Sequence, residues 1–534
     1  MSLIPQPQAI TLGEGVVELA SLDHVVSALD TTLHPEGYTI AISADEGVRI
    51  TGGSDAGLFY ARQTLRQLLP VSALRHGGGA AASGPWPLRA QTIADAPSSG
   101  LRWRGCMLDV ARHFMPVADV LRFVDALAFH KLNTLHLHLT DDQGWRIDVP
   151  PWPRLAAVAG WRARSMQGTR HRGPPTFDAR PHGGVYTADD LREIVAFAAA
   201  RHVAVVPEVN MPGHMRAAIA AYPALGNTDV EEGRSPDEGV WDSWGVSPRV
   251  LGVSDETLDF CRSVLDFVCD VFPSDTIGIG GDECPYDEWR ASPSVQARMR
   301  ALGIETESAL QGWFTDQMAA HLATRGRRAY GWDEVLEGYT GPSDRILVAA
   351  WRGPGPTAVA ARRGFDVVTC PDVSAYLDYR QSDDPGEPTP VGTLLTLADV
   401  YAFEPVPPGL APEAARHIVG AQVNVWTEHM ESARRVEYMT FPRASAFAEV
   451  AWGKPRGRDR GEEGGGGGAG ITGFEDFRTR LEDKHLARLE ALGLNYRPQT
   501  GPRPWDGRPD APGHPQSREQ RLAEIEKMTA ELGE

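Results

Sequence analysis

From about residue 101 onward, short apolar runs alternate with longer stretches in which apolar positions recur every three or four residues. The runs are Trp103 to Val110, Thr134 to Thr140, His202 to Val209, Asp275 to Gly281, Arg327 to Trp332, Arg345 to Trp351, Phe365 to Pro371 and Ile418 to Trp426. Apolar runs separated by helical patterns predict parallel strands joined by crossover helices. The stretch starting Thr187-Ala188-Asp189-Asp190 fits that crossover role, with Thr187 as N-cap and acids in the first turn. Eight such runs predict an α/β fold, a (β/α)8 TIM barrel, with chemistry carried at the C-terminal ends of the strands. An open doubly wound sheet would need a glycine-rich phosphate loop after its first strand, and none follows Val110.

The first hundred residues carry a different pattern. Strand-like runs (Thr39 to Ser43, Gly47 to Thr51) flank one helix starting at Asp55, where Leu58, Leu65, Leu68 and Leu69 fall on one stripe before Pro70 stops it. Strand-like sequence resumes at Gln91, so the Gly/Ala-rich stretch His76 to Gly84 reads as a loop within a small α+β domain. The predicted organisation is this domain over 1–100, the barrel over 101–495, and a C-terminal tail over 496–534. Two Pro-, Gly- and Asp-rich loops, Trp152 to Tyr186 and Asn210 to Glu256, are long enough to form lids or subsite walls. The five-glycine run Gly464 to Gly468 reads as mobile, and Phe474 to Leu492 as a helix packed on the barrel. A final helix, Arg518 to Leu532, puts Leu522, Ile525, Met528 and Leu532 on one side, for docking on its own domain or on a partner.

Composition narrows the partners. At 42% hydrophobic the chain buries a large core, and 71 acidic against 52 basic side chains leave a net charge of -19. That charge argues against nucleic acid and against an anionic membrane, whereas a neutral substrate meets no repulsion. The five cysteines, at 106, 261, 269, 284 and 370, form no Cys-x-x-Cys pair and read as reduced thiols. No basic-then-apolar leader and no run of 18 apolar residues is found, so the expected location is cytoplasmic.

The residues just past the eight strands read as one site. Arg112 follows the first; Asp141 and Asp142 end the second; His214 follows the third; Gly280-Gly281-Asp282-Glu283 ends the fourth. Trp332, Trp351 and Trp426 end the fifth, sixth and eighth, Tyr376 and Asp378 follow the seventh, and Glu428 lies two residues past Trp426. Three indoles among carboxylates and an arginine suit a sugar ring, which needs flat apolar faces and a few polar anchors. Arg112 offers fixed donors for paired hydroxyls. Glu283 is the candidate proton donor to a glycosidic oxygen, kept protonated by burial among the tryptophans and by the charge of Asp282.

Two other readings compete. His136 and His138 alternate along one strand and could bind metal as in a metal-dependent amidohydrolase, which would need further His, Lys and Asp ligands where this chain has tryptophans; otherwise they are structural residues of the barrel interior. A catalytically inactive sugar-binding protein would not need the Asp282–Glu283 pair. No metal and no cofactor are expected.

With these motifs, the chain resembles glycoside hydrolase family 20, the β-N-acetylhexosaminidases, through Arg104 to Phe114, His136 to Arg146, Pro207 to His214, Gly280 to Glu283, Gly331 to Glu334, Tyr376 to Asp378 and Trp426 to Glu428. The resemblance implies a barrel preceded by a small domain. It implies retaining, exo-acting hydrolysis of terminal β-linked N-acetylglucosamine or N-acetylgalactosamine, in which the substrate's own acetamido group is the nucleophile. By the same resemblance Glu283 is acid then base, Asp282 orients the acetamido group, Tyr376 donates to its oxygen, and Trp332, Trp351 and Trp426 enclose its methyl. Arg112, Glu428 and Asp378 would bind ring hydroxyls, while Asp141 and His214 support the acid. The partner implied is a small carbohydrate, such as a chitooligosaccharide, and a homodimer is left open. Three departures stand out. Asn210 replaces a common Asp, which is expected to weaken the support of His214. Gly278 replaces a common His beneath the acid pair. No tryptophan between Tyr376 and Trp426 is available for the next sugar.

Overall fold

The strand-like runs of the N-terminal region join a five-stranded sheet in the order Ala9–Leu19, Trp86–Asp95, Tyr38–Ser43, Gly47–Gly52, Val26–Leu29. The computed structural model describes residues 2–75, 83–169, 174–230, 238–389, 391–453, 473–508, 511, 513 and 515–532. The run Gly464 to Gly468 and residues 76–82 of the His76 to Gly84 loop lie outside the described residues, as do 170–173 and 231–237 of the two long loops. Ala9–Leu19 escapes sequence reading because it is an edge strand exposed on both faces, with no apolar alternation to betray it.

Helix Asp55–Leu68 packs on this sheet, capped by the Ser54 hydroxyl, which accepts the Ala56 N–H. Its buried face is Tyr60, Ala61, Thr64 and Leu65, while Leu58 and Leu68 of the expected stripe are only half-buried. Gly57 sets this rotation: a Cβ there would collide with the Gly37 carbonyl, so the helix comes close to the sheet at its glycine.

The eight expected runs each hold one strand of a closed parallel barrel: Trp103–Asp109, Thr134–His138, Ala204–Glu208, Thr276–Gly280, Arg328–Trp332, Ile346–Ala350, Val367–Thr369 and Ile418–Val425. The last pairs with the first, Gly420 beside Trp103 through Val425 beside Leu108, which closes the cylinder. The crossover helix Ala188–Ala199 opens on a capping box between Thr187 and Asp190. Helices bury the outer faces of the strands, but the interior below the mouth is polar: His136, His138, Glu208, Gln422 and Asn424 are all buried there.

Small domain and barrel meet across a charged seam. Lys131 Nζ lies 2.8 Å from Asp95 Oδ2, both fully buried, and that carboxylate also accepts the Tyr38 hydroxyl (2.7 Å) and the Trp452 indole N–H (3.0 Å). Arg104 reaches Glu36 at 2.6 Å. The helical stretch from Phe474 to Ala491 spans both units: Phe477, Leu481 and Leu489 enter the barrel's core, while Arg488 donates to the Gln67 carbonyl at 2.7 Å. The tail helix Arg518–Thr529, continued to Leu532, docks on its own barrel through Ile525 and Leu532, leaving Leu522 and Met528 exposed. Among the described residues no helix is long and apolar enough to cross a membrane.

Candidate active site

A cavity of about 530 Å³ opens at the C-terminal ends of the barrel strands. The fourth strand delivers Asp282 and Glu283 into it through Gly280 and Gly281, with φ of 67° and 96°. A side chain at Gly280 would collide with Asn210, so only glycine lets the chain turn here. Glu283 itself is left-handed, with φ 48°, strain of the kind that clusters at functional sites. The turn sends the two carboxylates different ways: the Asp282 side chain is 11% exposed and that of Glu283 is 42% exposed. Burial of Glu283 among tryptophans, expected from sequence, is therefore corrected, because its positive φ turns it out to the mouth. Among the carboxyls around the acid pair, burial raises the pKa of Asp282 and Glu334, and at the far end of the cavity it raises that of Asp378 and Glu428 as well. Burial pushes Asp282 up to about 6, with His214 and the Asn210 N–H pulling down and Glu208 and Glu283 pushing up. Burial likewise pushes Glu334 up to about 8 despite the neighbouring Arg352, and Glu334 Oε1 accepts the Glu283 N–H at 3.4 Å.

Behind the pair runs a line of charges. His214 Nε2, buried and without a hydrogen-bond partner among the described residues, lies 3.6 Å from Asp282 and 3.8 Å from Glu283. Its Nδ1 is 3.1 Å from Asp141, whose other oxygen lies 3.0 Å from Arg112 and 2.9 Å from His138. Burial works against the charged form of His214, but Asp141 and Asp282 outweigh it and hold the imidazole well above its ordinary value. Burial works against charge on Asp141 too, and Arg112 and His214 outweigh it, holding the carboxyl well below the usual range.

Asn210 departs from expectation in an informative way. Its Nδ2 donates to Asp282 Oδ1 at 2.7 Å and its Oδ1 accepts the Gly281 N–H at 3.1 Å, so it acts on Asp282 directly and not on His214. The amide favours the ionised carboxylate. Asn210→Asp would set a second acid beside Asp282 and raise its pKa, so the acidic limb of the kcat/KM profile should move to higher pH. A profile overlying that of the wild type would refute this coupling.

Three rings of an aromatic box face the cavity. Tyr376 stacks on Trp351 (centroids 6.1 Å apart, planes at 19°) and lies 6.2 Å from Trp426. Trp332 packs 5.8 Å behind Trp426, fully buried and outside the cavity wall, because its indole N–H is drawn inward to Glu208 Oε1 at 2.9 Å. The Trp351 indole N–H donates to Glu334 Oε2 at 3.0 Å. At the other end Arg112 stands 4.9 Å from the Trp426 ring and 3.9 Å from Glu428. Asp378 Oδ1 and Glu428 Oε2 are buried acceptors without partners among the described residues, an arrangement that invites hydroxyl donors.

Sequence reasoning missed part of the wall. Trp244, Met166 and Val246 come from the two long loops, Val391 and Gly392 from the stretch lacking tryptophan, and Gln516, Arg521 and Glu524 from the tail. Only Trp244 carried a signal, an indole in a loop already marked as a subsite wall.

The histidines of the second strand face inward. His136 Nε2 and His138 Nδ1 both meet Glu208 Oε2, at 2.8 and 2.6 Å, and Gly278 leaves the room this needs, since a Cβ there would strike Glu208. Two triplets, Asp141/Asp142/His214 and His214/Asp282/Glu283, have ligand atoms within 4.8 Å of one another. The fit to a metal is poor: His214, common to both triplets, is held in its charged form, Asp142 already accepts the Arg216 and Ser247 N–H groups at 3.0 Å, and Asp141 already neutralises Arg112.

Comparison with known proteins adds to this geometry. Residues 101–455 match "Glycosyl hydrolase family 20, catalytic domain" and residues 18–96 match "Glycosyl hydrolase family 20, domain 2". A β-hexosaminidase of Porphyromonas gingivalis is 37% identical over 466 residues, covering 87% of this chain and 55% of its own length, so the chain spans about half of that relative. One from Akkermansia muciniphila is 32% identical, covering 94% of this chain and 93% of its own. The structure of an exo-β-N-acetylglucosaminidase from Vibrio harveyi in complex with N-acetylglucosamine superposes with a TM-score of 0.75 at 30% identity, covering 94% of this chain and 78% of that one.

Proposed function

The chain belongs to glycosyl hydrolase family 20, and on that premise we propose that it releases terminal β-linked N-acetylhexosamines from carbohydrates by retaining, substrate-assisted hydrolysis. One observation carries the reading: a buried Asp282 sits beside a box of aromatic rings while the adjacent Glu283, 3.8 Å from His214, is exposed at the mouth. Such a pair suits two different tasks. With the acetamido methyl against Trp351, Tyr376 and Trp426, the last backed by Trp332, the acetamido oxygen attacks the anomeric carbon. Glu283 protonates the departing glycosidic oxygen as that bond breaks. Asp282 accepts the acetamido N–H and faces the positive charge that spreads over the forming oxazolinium ring, and Tyr376 donates to the acetamido oxygen. Glu283, now a carboxylate, deprotonates the water that opens this ring, returning the anomeric carbon to its original configuration.

The remaining residues set the stage. Arg112, Asp378 and Glu428 receive the sugar's hydroxyls, and their closeness behind the ring favours an exo cut at a chain end. His214, charged and wedged between Asp141 and the acid pair, stabilises whichever carboxylate is ionised. A panel of nitrophenyl glycosides tests the reading: β-N-acetylglucosaminide or β-N-acetylgalactosaminide should be turned over rapidly, and β-glucoside at most very slowly. Comparable rates on β-glucoside would mean an ordinary two-carboxylate glycosidase.

A further inference from the structure

One wall of the cavity is built by residues beyond the two matched family regions, 18–96 and 101–455. Gln516, Arg521 and Glu524, from the tail helix Arg518–Thr529 and the turn before it, line the same space as Asp282, Glu283 and Trp351. Within that helix only Ile525 is buried, so polar ties help to hold it in place. Arg352 donates to the Met528 carbonyl at 3.3 Å, and Arg521 Nε donates to Asp372 Oδ2 at 2.6 Å. Asp372 is fully buried; its Oδ2 also accepts the Tyr379 hydroxyl at 2.9 Å, and its backbone N–H donates to the Trp351 carbonyl at 2.9 Å. The Arg521 guanidinium carbon lies 5.9 Å from the Trp351 ring centroid. The indole against which Tyr376 stacks is thus also held by a cation from the tail.

We propose that Arg521 is a positioning residue for the aromatic box: by fixing Trp351 against Tyr376 it sets the size of the N-acyl group the enzyme accepts. The inference rests on the functional reading above, in which that box encloses the acetamido methyl. A planar guanidinium pairs with the Asp372 carboxylate through one edge and reaches the indole with its plane, whereas a compact ammonium held on the carboxylate offers no such plane. Without the cover Trp351 gains freedom, the box widens, and the attacking oxygen is held less well.

The test compares N-acetyl with N-propionyl nitrophenyl β-glucosaminides in wild type, Arg521→Lys and Arg521→Ala. One added methylene is worth about 10- to 200-fold in a close-fitting apolar pocket, and the wild type should show a preference in that range. Arg521→Lys should melt close to wild type, because Asp372 keeps a cation, yet lose most of that preference while kcat on the N-acetyl substrate falls about 10-fold. Arg521→Ala should lose the preference as well as some stability. A wild-type preference retained in both variants overturns the proposal. A wild type indifferent to the acyl group altogether would instead overturn the functional reading, which separates the two failures.

Discussion

Asp282→Asn should lower kcat by roughly 10²- to 10³-fold, and by the same factor whether the leaving group is good or poor. The carboxylate is buried against Asn210 and His214, and its charge faces the atoms that become positive as the acetamido oxygen closes on the anomeric carbon. Asparagine fills the same space without that charge, so the loss belongs to ring closure and not to departure of the aglycone. Because Asp282 titrates near 6, wild-type kcat/KM should also fall as pH drops through that value, protonation removing what the mutation removes. The measurement is a series of aryl β-N-acetylglucosaminides of graded leaving-group acidity. A loss confined to poor leaving groups would count against the assignment.

Glu283→Gln should show the complementary pattern. General acid assistance is worth about 10²- to 10⁴-fold, and the full loss should appear with alkyl or sugar leaving groups, whereas an activated nitrophenol leaves with little help. The exposed position of Glu283 suits that role, since the group must meet the glycosidic oxygen at the mouth and later a water entering by the same route. If Asp282→Asn carried the leaving-group dependence and Glu283→Gln did not, the two roles would be exchanged.

The barrel was legible in the sequence because strands covered on both faces write themselves as uninterrupted apolar runs, and the ends of those runs mark the mouth. Arg112, Asp141, His214, Asp282, Tyr376 and Glu428 could be placed for that reason. The expected burial of Glu283 failed because strand position gives a residue's location but not its φ, and one left-handed residue reverses where the side chain goes. Asn210 read as support for His214 because sequence order joins those two residues, whereas the fold aims its amide at Asp282. Trp244 and Arg521 lie on a long loop and on a distant helix, and no periodicity relates either to the strand ends. The leucine stripe of the first helix held for Leu65 and Leu69 but not for Leu58 and Leu68, which the close approach of Gly57 to Gly37 leaves half-buried.

The seam between small domain and barrel has a consequence for how the molecule comes apart. Lys131 belongs to the barrel, Asp95 to the sheet, and neither is reached by water. Stripping one partner from a buried ion pair costs about 3–5 kcal/mol, a large share of what holds an ordinary protein together. Truncating either side chain, Lys131→Met or Asp95→Ala, would leave its partner charged and buried in the seam between sheet and barrel. The two units should therefore melt in one calorimetric transition, and two separate transitions would show that the seam does not couple them.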